Sequence, residues 1–395
     1  MLLILPVIIS LILHTISTSP SPISSALLPQ GGSEATLISI GSMTYLIYTN
    51  IDLSLNFTWI SPYLASGFQS EKTVGTQIIT LFGNEYRVSI CEEEMRMENN
   101  LNKSKIIMKN FRYYYLKNEI KSERDSIGLG RLFTNTQYSF THQMFLNHYI
   151  DKLSFSFILN EYDNNDRDHN YLFFGTPPLT FLDPQTTKSL KCNVKQELIS
   201  WSCDLNKVEF PNTKIKPYVI ANQIGYFQTY KYKILAPRKF IDYLYTHMFY
   251  DYFLNNTCHF NDDDNYSRKI ICNKEYENNF NGIQFCFGEE GTCLLLPQDK
   301  LFSFYFRDHV AFVIEENFID KETETKWLFG KYFMPLFNTT FSYEDNTITF
   351  YSNDNIVLST ASFSNNNIIR YCFIGIMMLM SFASVLMFIN NKHLK

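Results

Sequence analysis

Short apolar runs closed by turn residues recur along most of this chain. Tyr45 to Ile51, Leu153 to Leu159, Tyr171 to Phe174, Ile283 to Phe287, Val310 to Ile314 and Thr347 to Tyr351 are rich in Ile, Val, Phe and Tyr. β-Branched and aromatic side chains suit a pleated, half-buried surface, so each run predicts a strand. Helical periodicity is confined to Thr141 to Ile150 and Arg238 to Tyr250. The expectation is an all-β chain. With 395 residues, 45% of them apolar, it has enough for two or three packed domains. Polar stretches at Glu92 to Lys105, Asn160 to Asn170 and Asn261 to Arg268 read as loops. The last contains DDDN but lacks the spaced ligands and Gly of an EF-hand, so a solvated loop is expected and no metal site.

A net charge of −5, from 34 basic and 39 acidic residues, argues against nucleic acid as a partner. No phosphate loop, GxSxG elbow or HExxH is present. His142 and His148 are six apart, which does not put both on one helix face. No cofactor is expected.

The two ends place the chain. Leu2 to Leu13 is an apolar run the length of a signal-peptide h-region, followed by small residues that suit cleavage between 17 and 25. Tyr371 to Ile389 is uncharged and matches about 30 Å of hydrocarbon. Lys392, His393 and Lys395 follow it, which favours a cytoplasmic tail. A GPI signal is the rival, but such signals end in the apolar tail, whereas this chain continues to Lys395. The expectation is a single-pass type I membrane protein with a lumenal or extracellular body, at the plasma membrane or in a secretory or endolysosomal compartment.

An oxidising lumen predicts disulfides. With Cys372 in the membrane segment, seven cysteines remain. Cys192 with Cys203, Cys258 with Cys272, and Cys286 with Cys293 are the local pairings, and Cys91 is left over. Sequons fall at Asn56, Asn102, Asn255, Asn265 and Asn338.

One constellation stands above this background. Gly41 precedes Asp52 by 11 residues and Trp59 follows it by 7. RDSIGLGR from Arg124, YLFFGTPP from Tyr171, Trp201 with DLNKVEF, and WLFGKYF from Trp327 come later in the chain. Their order resembles that of the pepsin-like aspartic peptidases. There, Asp-Thr-Gly-Ser-Ser and Trp-Val open the first lobe, a DGILGLG strand follows, and an Ile-Leu-Gly strand closes the second. The likeness spans roughly residues 36 to 352. It implies an all-β, bilobal pepsin-like fold of two β-barrels, with lobes at 35–180 and 185–355. Around them lie a signal peptide (1–19), a juxtamembrane linker (356–370), one transmembrane helix (371–389) and a short tail (390–395).

The resemblance also says where the site has changed. Leu53 and Ser54 stand where the family has Thr and Gly. The second motif carries a Pro nine residues after its Asp, and counting back nine from Pro237 gives Gln228. Gln228, Thr229 and Tyr230 then occupy the Asp-Thr-Gly positions. An alternative register through Asn222 breaks the Pro spacing, and neither supplies an acid. In the mobile hairpin that covers the family's cleft, Phe82 before Gly83 replaces a Tyr. Two carboxylates sharing one proton drive the family's chemistry. A Gln donates hydrogen bonds but exchanges no proton near neutral pH. Asp52 is then a vestigial first acid. Leu53, Ser54, Phe82, Thr229 and Tyr230 become candidate cleft-lining residues. The expected function is binding of a polypeptide or protein partner by an inactive homologue. The alternatives are an active aspartic endopeptidase and a receptor-like glycoprotein binding outside the cleft.

Overall fold

A computed structural model describes residues 23–26, 28–30, 33–40, 45–60, 72–81, 84–100, 102–116, 126–131, 136–158, 171–177, 186–195, 200–219, 221–229, 233–264, 267–288, 292–317, 325–330 and 332–359. The chain divides into a unit spanning Met1–Val357 and a second from Leu358 to Lys395. The signal-peptide run, the 371–389 segment, Phe82, Tyr230 and Asn265 lie outside the described residues. Among the described residues no helix is long and apolar enough to cross a membrane.

The first unit is built mostly of strands, as their composition predicts. Three sheets organise it. An eight-stranded sheet comes from the N-terminal half and a twelve-stranded sheet from the C-terminal half. Between them in the chain's logic is a six-stranded sheet to which both halves contribute three strands. Its order is Ile23–Ala26, Tyr171–Phe174, Ser154–Ile158, Asn338–Ser342, Thr347–Ser352 and Lys188–Asn193. The two halves join where Ser154–Ile158 pairs antiparallel with Asn338–Ser342. Phe155 and Phe341 stack across this seam at 4.9 Å, and both pack on Trp201. Burial of such rings, each worth roughly 1.5–3 kcal/mol, fixes the register, because a one-residue slip would move Phe155 and Phe341 off Trp201 to the opposite face of the sheet.

The three local cysteine pairs are bridged. Cys258–Cys272 and Cys286–Cys293 join residues directly opposite each other in antiparallel ladders. Cys192–Cys203 ties the six-stranded sheet to strand Ser202–Glu209 of the twelve-stranded one. Cys91 is buried outside these bridges, its thiol directed at the Ser89 carbonyl.

Two stretches expected as loops are strands. Glu92 to Lys105 lies in a long hairpin, Asn84–Glu98 with Lys105–Tyr115, reversing through 99–104. Cys91, Glu93, Met95 and Met97 are buried, while the residues between them are more exposed. Apart from Glu93, the charges occupy the outer face, where Glu92 pairs with Lys72 and Arg112, each at 2.9 Å. Asn261 to Arg268 likewise falls mostly within the hairpin Cys258–Asp264 and Ser267–Asn273, held by its disulfide. The expected single strand Val310 to Ile314 is two, His309–Phe312 and Ile314–Asn317. The break at Val313 lets the chain change partner, from Phe302–Phe306 to a parallel pairing with Ile234–Ala236. The helix expected over Arg238 to Tyr250 runs as Arg238–Leu244, a π-helical turn Tyr245–Phe249, and Tyr250–Leu254.

Candidate active site

Asp52 is the last residue of strand Tyr45–Asp52. That strand pairs parallel with Ser126–Gly128, which also pairs antiparallel with Trp59–Ile60. The loop 53–58 is thereby pinned between the two glycines of the IGLG segment. A Cβ on Gly128 would lie 2.3 Å from the Phe57 carbonyl oxygen, and one on Gly130 2.7 Å from that of Leu55. Only glycine permits this approach. Leu129 N–H donates to the Asp52 carbonyl at 2.8 Å, and Gly130 N–H to that of Leu55.

The C-terminal half repeats this arrangement. Ser126 faces Asn50 in the parallel ladder and Trp59 in the antiparallel one, two residues before and seven after Asp52. Leu328 faces Tyr226 and Leu235 in the same two senses, two before and seven after Gln228. Two residues on from Ser126 and Leu328 stand Gly128 and Gly330. The strand pairings therefore place Gln228 at the position equivalent to Asp52. Asn222 lies exposed in a left-handed turn ahead of strand Gln223–Phe227.

The two positions meet through the chain between them. Thr229, next to Gln228, donates its hydroxyl to the carbonyl of Ile51, next to Asp52. Both Asp52 and Gln228 are buried, as are Leu53 and Thr229, while Ser54 is half-buried. Gln228 N–H donates to the Phe329 carbonyl at 3.0 Å, and its buried side-chain oxygen has no hydrogen-bond partner among the described residues. One Asp52 carboxylate oxygen accepts from Ser54 N–H at 2.7 Å and from the Ser54 hydroxyl at 2.5 Å. Burial pushes the Asp52 pKa above the usual carboxylate range, against the lowering effect of hydrogen bonds from Ser54 and Leu55. No second acid is among the groups that perturb it. Among the described residues, no second carboxyl acts on Asp52, and the glutamine at the equivalent position exchanges no proton near neutral pH.

Trp201 supports both sides. Its indole N–H donates to the Leu129 carbonyl at 2.7 Å, behind Asp52, and its own carbonyl accepts from Phe227 N–H at 3.0 Å, ahead of Gln228. Tyr343 donates to the same Leu129 oxygen at 3.0 Å. Arg131 reaches across to the Lys195 carbonyl and, at 2.8 Å, to Asn346.

The equivalence exposes a chemical asymmetry that the motifs alone did not reveal. Five residues after Asp52, Phe57 packs on Tyr114 with ring centroids 5.0 Å apart. Five residues after Gln228, Lys233 lies 3.9 Å from Glu315 and donates to the Ser303 hydroxyl at 2.6 Å. Tyr114 and Glu315 are themselves equivalent, facing Trp59 and Leu235 in parallel ladders. An aromatic pair on one side thus becomes an ion pair on the other. Burial lowers the Lys233 pKa, with Glu315 opposing the shift. On the first side Tyr114 also donates to Gln77 at 3.0 Å, beneath the hairpin Thr73–Leu81 and Asn84–Glu98. The signal for these residues was their common offset, visible once two equivalent positions are aligned.

Of the sequons, Asn102 and Asn255 are exposed and Asn56 and Asn338 half-buried.

No protein-family model and no curated protein sequence matches the chain. Solved structures do. The aspartic proteinase from Irpex lacteus is similar over 87% of this chain and 99% of its own, with 9% identity and a TM-score of 0.62. The basic 7S globulin from soybean is similar over 84% of this chain and 96% of its own, with 10% identity and a TM-score of 0.64. The chain has the fold of the pepsin-like aspartic proteinases.

Proposed function

We propose, from that fold, that this protein is a membrane-anchored, pepsin-like homologue that has lost catalysis and acts by binding polypeptide. The observation that carries the reading is Gln228 at the position equivalent to Asp52, with no second acid among the described residues acting on the Asp52 carboxyl. Peptide hydrolysis in this fold needs one carboxylate to take a proton from water while its partner polarises the scissile carbonyl. A glutamine supplies the hydrogen bond and not the proton. General acid–base catalysis is worth roughly 10²–10⁴-fold per group, so water attack is impaired by at least that much.

Binding survives such a loss. Extended polypeptide is held by main-chain hydrogen bonds to exposed backbone, with pockets for alternate side chains, and neither needs a proton-sharing dyad. The aromatic pair Phe57–Tyr114 and the ion pair Lys233–Glu315 give the two sides different chemistry for that purpose. The apolar segments 2–13 and 371–389 would route the chain through the secretory pathway and anchor it, with the folded body lumenal or extracellular. Strand Ile23–Ala26 pairs with Tyr171–Phe174, which favours signal cleavage before residue 23 over later positions.

The full chain, solubilised in detergent, is incubated with a mixed peptide library at pH 3 to 7 and washed. The expected result is retention of intact peptides, displaced by a statine-type peptide. Release of fragments instead of intact peptides overturns the reading in favour of an active endopeptidase.

A further inference from the structure

Gln228 carries a buried atom that the fold leaves unanswered. The residue is 8% exposed, and its side-chain oxygen accepts no hydrogen bond among the described residues. The neighbouring donors of the site are committed elsewhere. Gln228 N–H donates to the Phe329 carbonyl, the Thr229 hydroxyl to the Ile51 carbonyl, and both Ser54 donors to one Asp52 carboxylate oxygen. A buried acceptor with no donor destabilises the folded state. A ligand that brings a donor to this oxygen recovers that loss on binding.

The chemistry of the side chain says which donor fits. A carboxamide accepts through its oxygen and donates through its nitrogen. An extended residue presents its own N–H and C=O on one edge, as paired strands use them. The two patterns are complementary. An ionised carboxylate only accepts, so it could not answer the C=O. We propose that Gln228 is a specificity-determining residue of the polypeptide site, its carboxamide reading the main-chain N–H and C=O of one extended residue of the ligand. The inference rests on the peptide-binding reading and adds a rule to it. Recognition at that residue ignores the side chain but refuses proline, which has no N–H to offer. Glutamine in place of an acid then exchanges proton transfer for main-chain recognition.

The probe is a decapeptide recovered intact from the mixed library and resynthesised with one backbone N-methyl group at each position in turn. Its affinity for the full chain in detergent is read by fluorescence anisotropy. In the wild type, N-methylation at one position should weaken binding about tenfold or more, the loss expected when a buried acceptor stays unpaired. Gln228→Met and Gln228→Leu remove both hydrogen-bonding groups while keeping a side chain of similar bulk. Each should bind the unmodified peptide about tenfold more weakly. N-methylation at that same position should then cost them little more, as a double-mutant cycle requires of paired groups. Both should melt no lower than the wild type, because the unpaired oxygen is gone, whereas a merely structural role for Gln228 would lower the melting temperature. The inference alone is overturned if the wild type binds the peptide and these variants bind it equally well, or if every N-methyl effect persists in them. If the wild type retains no peptide from the library, the peptide-binding reading falls and this inference with it.

Discussion

Asp52 is a carboxyl whose environment favours its neutral form. Burial raises its pKa, and the Ser54 and Leu55 hydrogen bonds only partly offset that. The folded state therefore binds this proton more tightly than the unfolded state does. The stabilisation is fully present below the ordinary carboxylate pKa and is lost as pH rises through the raised value. Asp52→Asn removes the proton dependence while keeping an oxygen for Ser54. Its melting temperature should exceed that of the wild type at pH 7, and the gap should close towards pH 3, as followed by circular dichroism. A melting temperature for Asp52→Asn below wild type at pH 7 would show that the charge is favoured in the fold. Thr229 is the other residue whose role is specific. Thr229→Val leaves the Ile51 carbonyl buried without this donor and should cost about 1–2 kcal/mol in urea unfolding, whereas Thr229→Ser should restore most of it. At this scale the sequence was partly legible. Asp52 could be approached from Gly41 and Trp59, and Gln228 from Pro237. The Phe57–Tyr114 and Lys233–Glu315 pairs could not, because each joins residues more than fifty apart whose meeting depends on strand register.

At the level of elements, the strand Ser126–Gly128 does most to shape the site. It holds both ends of the Asp52 loop, and Gly128, with Gly130 just beyond the strand, leaves room for the loop's carbonyls. Gly128→Ala places a carbon against backbone that cannot withdraw without moving Asp52. We expect a loss of about 3 kcal/mol or more, or failure to fold, measured as soluble yield and unfolding midpoint. Gly75→Ala, whose added carbon would meet only the tip of Ile90 at 3.5 Å, should be tolerated by comparison. Strands with apolar composition, such as Tyr171–Phe174 and Ile283–Phe287, were readable from sequence with correct limits. The C-terminal part of strand Asn84–Glu98 was not. Its charges alternate with buried residues at a period of two, but Glu93 on the buried face breaks the apolar pattern and makes the stretch look like a loop.

Across the whole molecule, Trp201 links the two halves. Its ring packs on Phe155, Phe341 and Tyr343 at the seam of the six-stranded sheet, while its N–H and C=O reach opposite sides of the site. Trp201→Ala should cost about 3–5 kcal/mol from lost burial and the cavity left behind. It should also split the unfolding of the halves into separate transitions in calorimetry. Trp201→Phe should retain a single transition. The fold itself was legible as ordered, degenerate motifs spread along the chain, a signal that 9–10% identity to solved structures leaves faint but that strand topology makes plain. In the proposed reading, Gln228 at the equivalent position leaves Asp52 unable to support hydrolysis. The most direct measurement is turnover of a broad-specificity peptide substrate by the purified full chain between pH 3 and 7, beside Asp52→Asn and with a statine-type inhibitor. Equal, background-level cleavage is expected for both proteins, with no effect of inhibitor. Statine-sensitive cleavage that disappears in Asp52→Asn would contradict it.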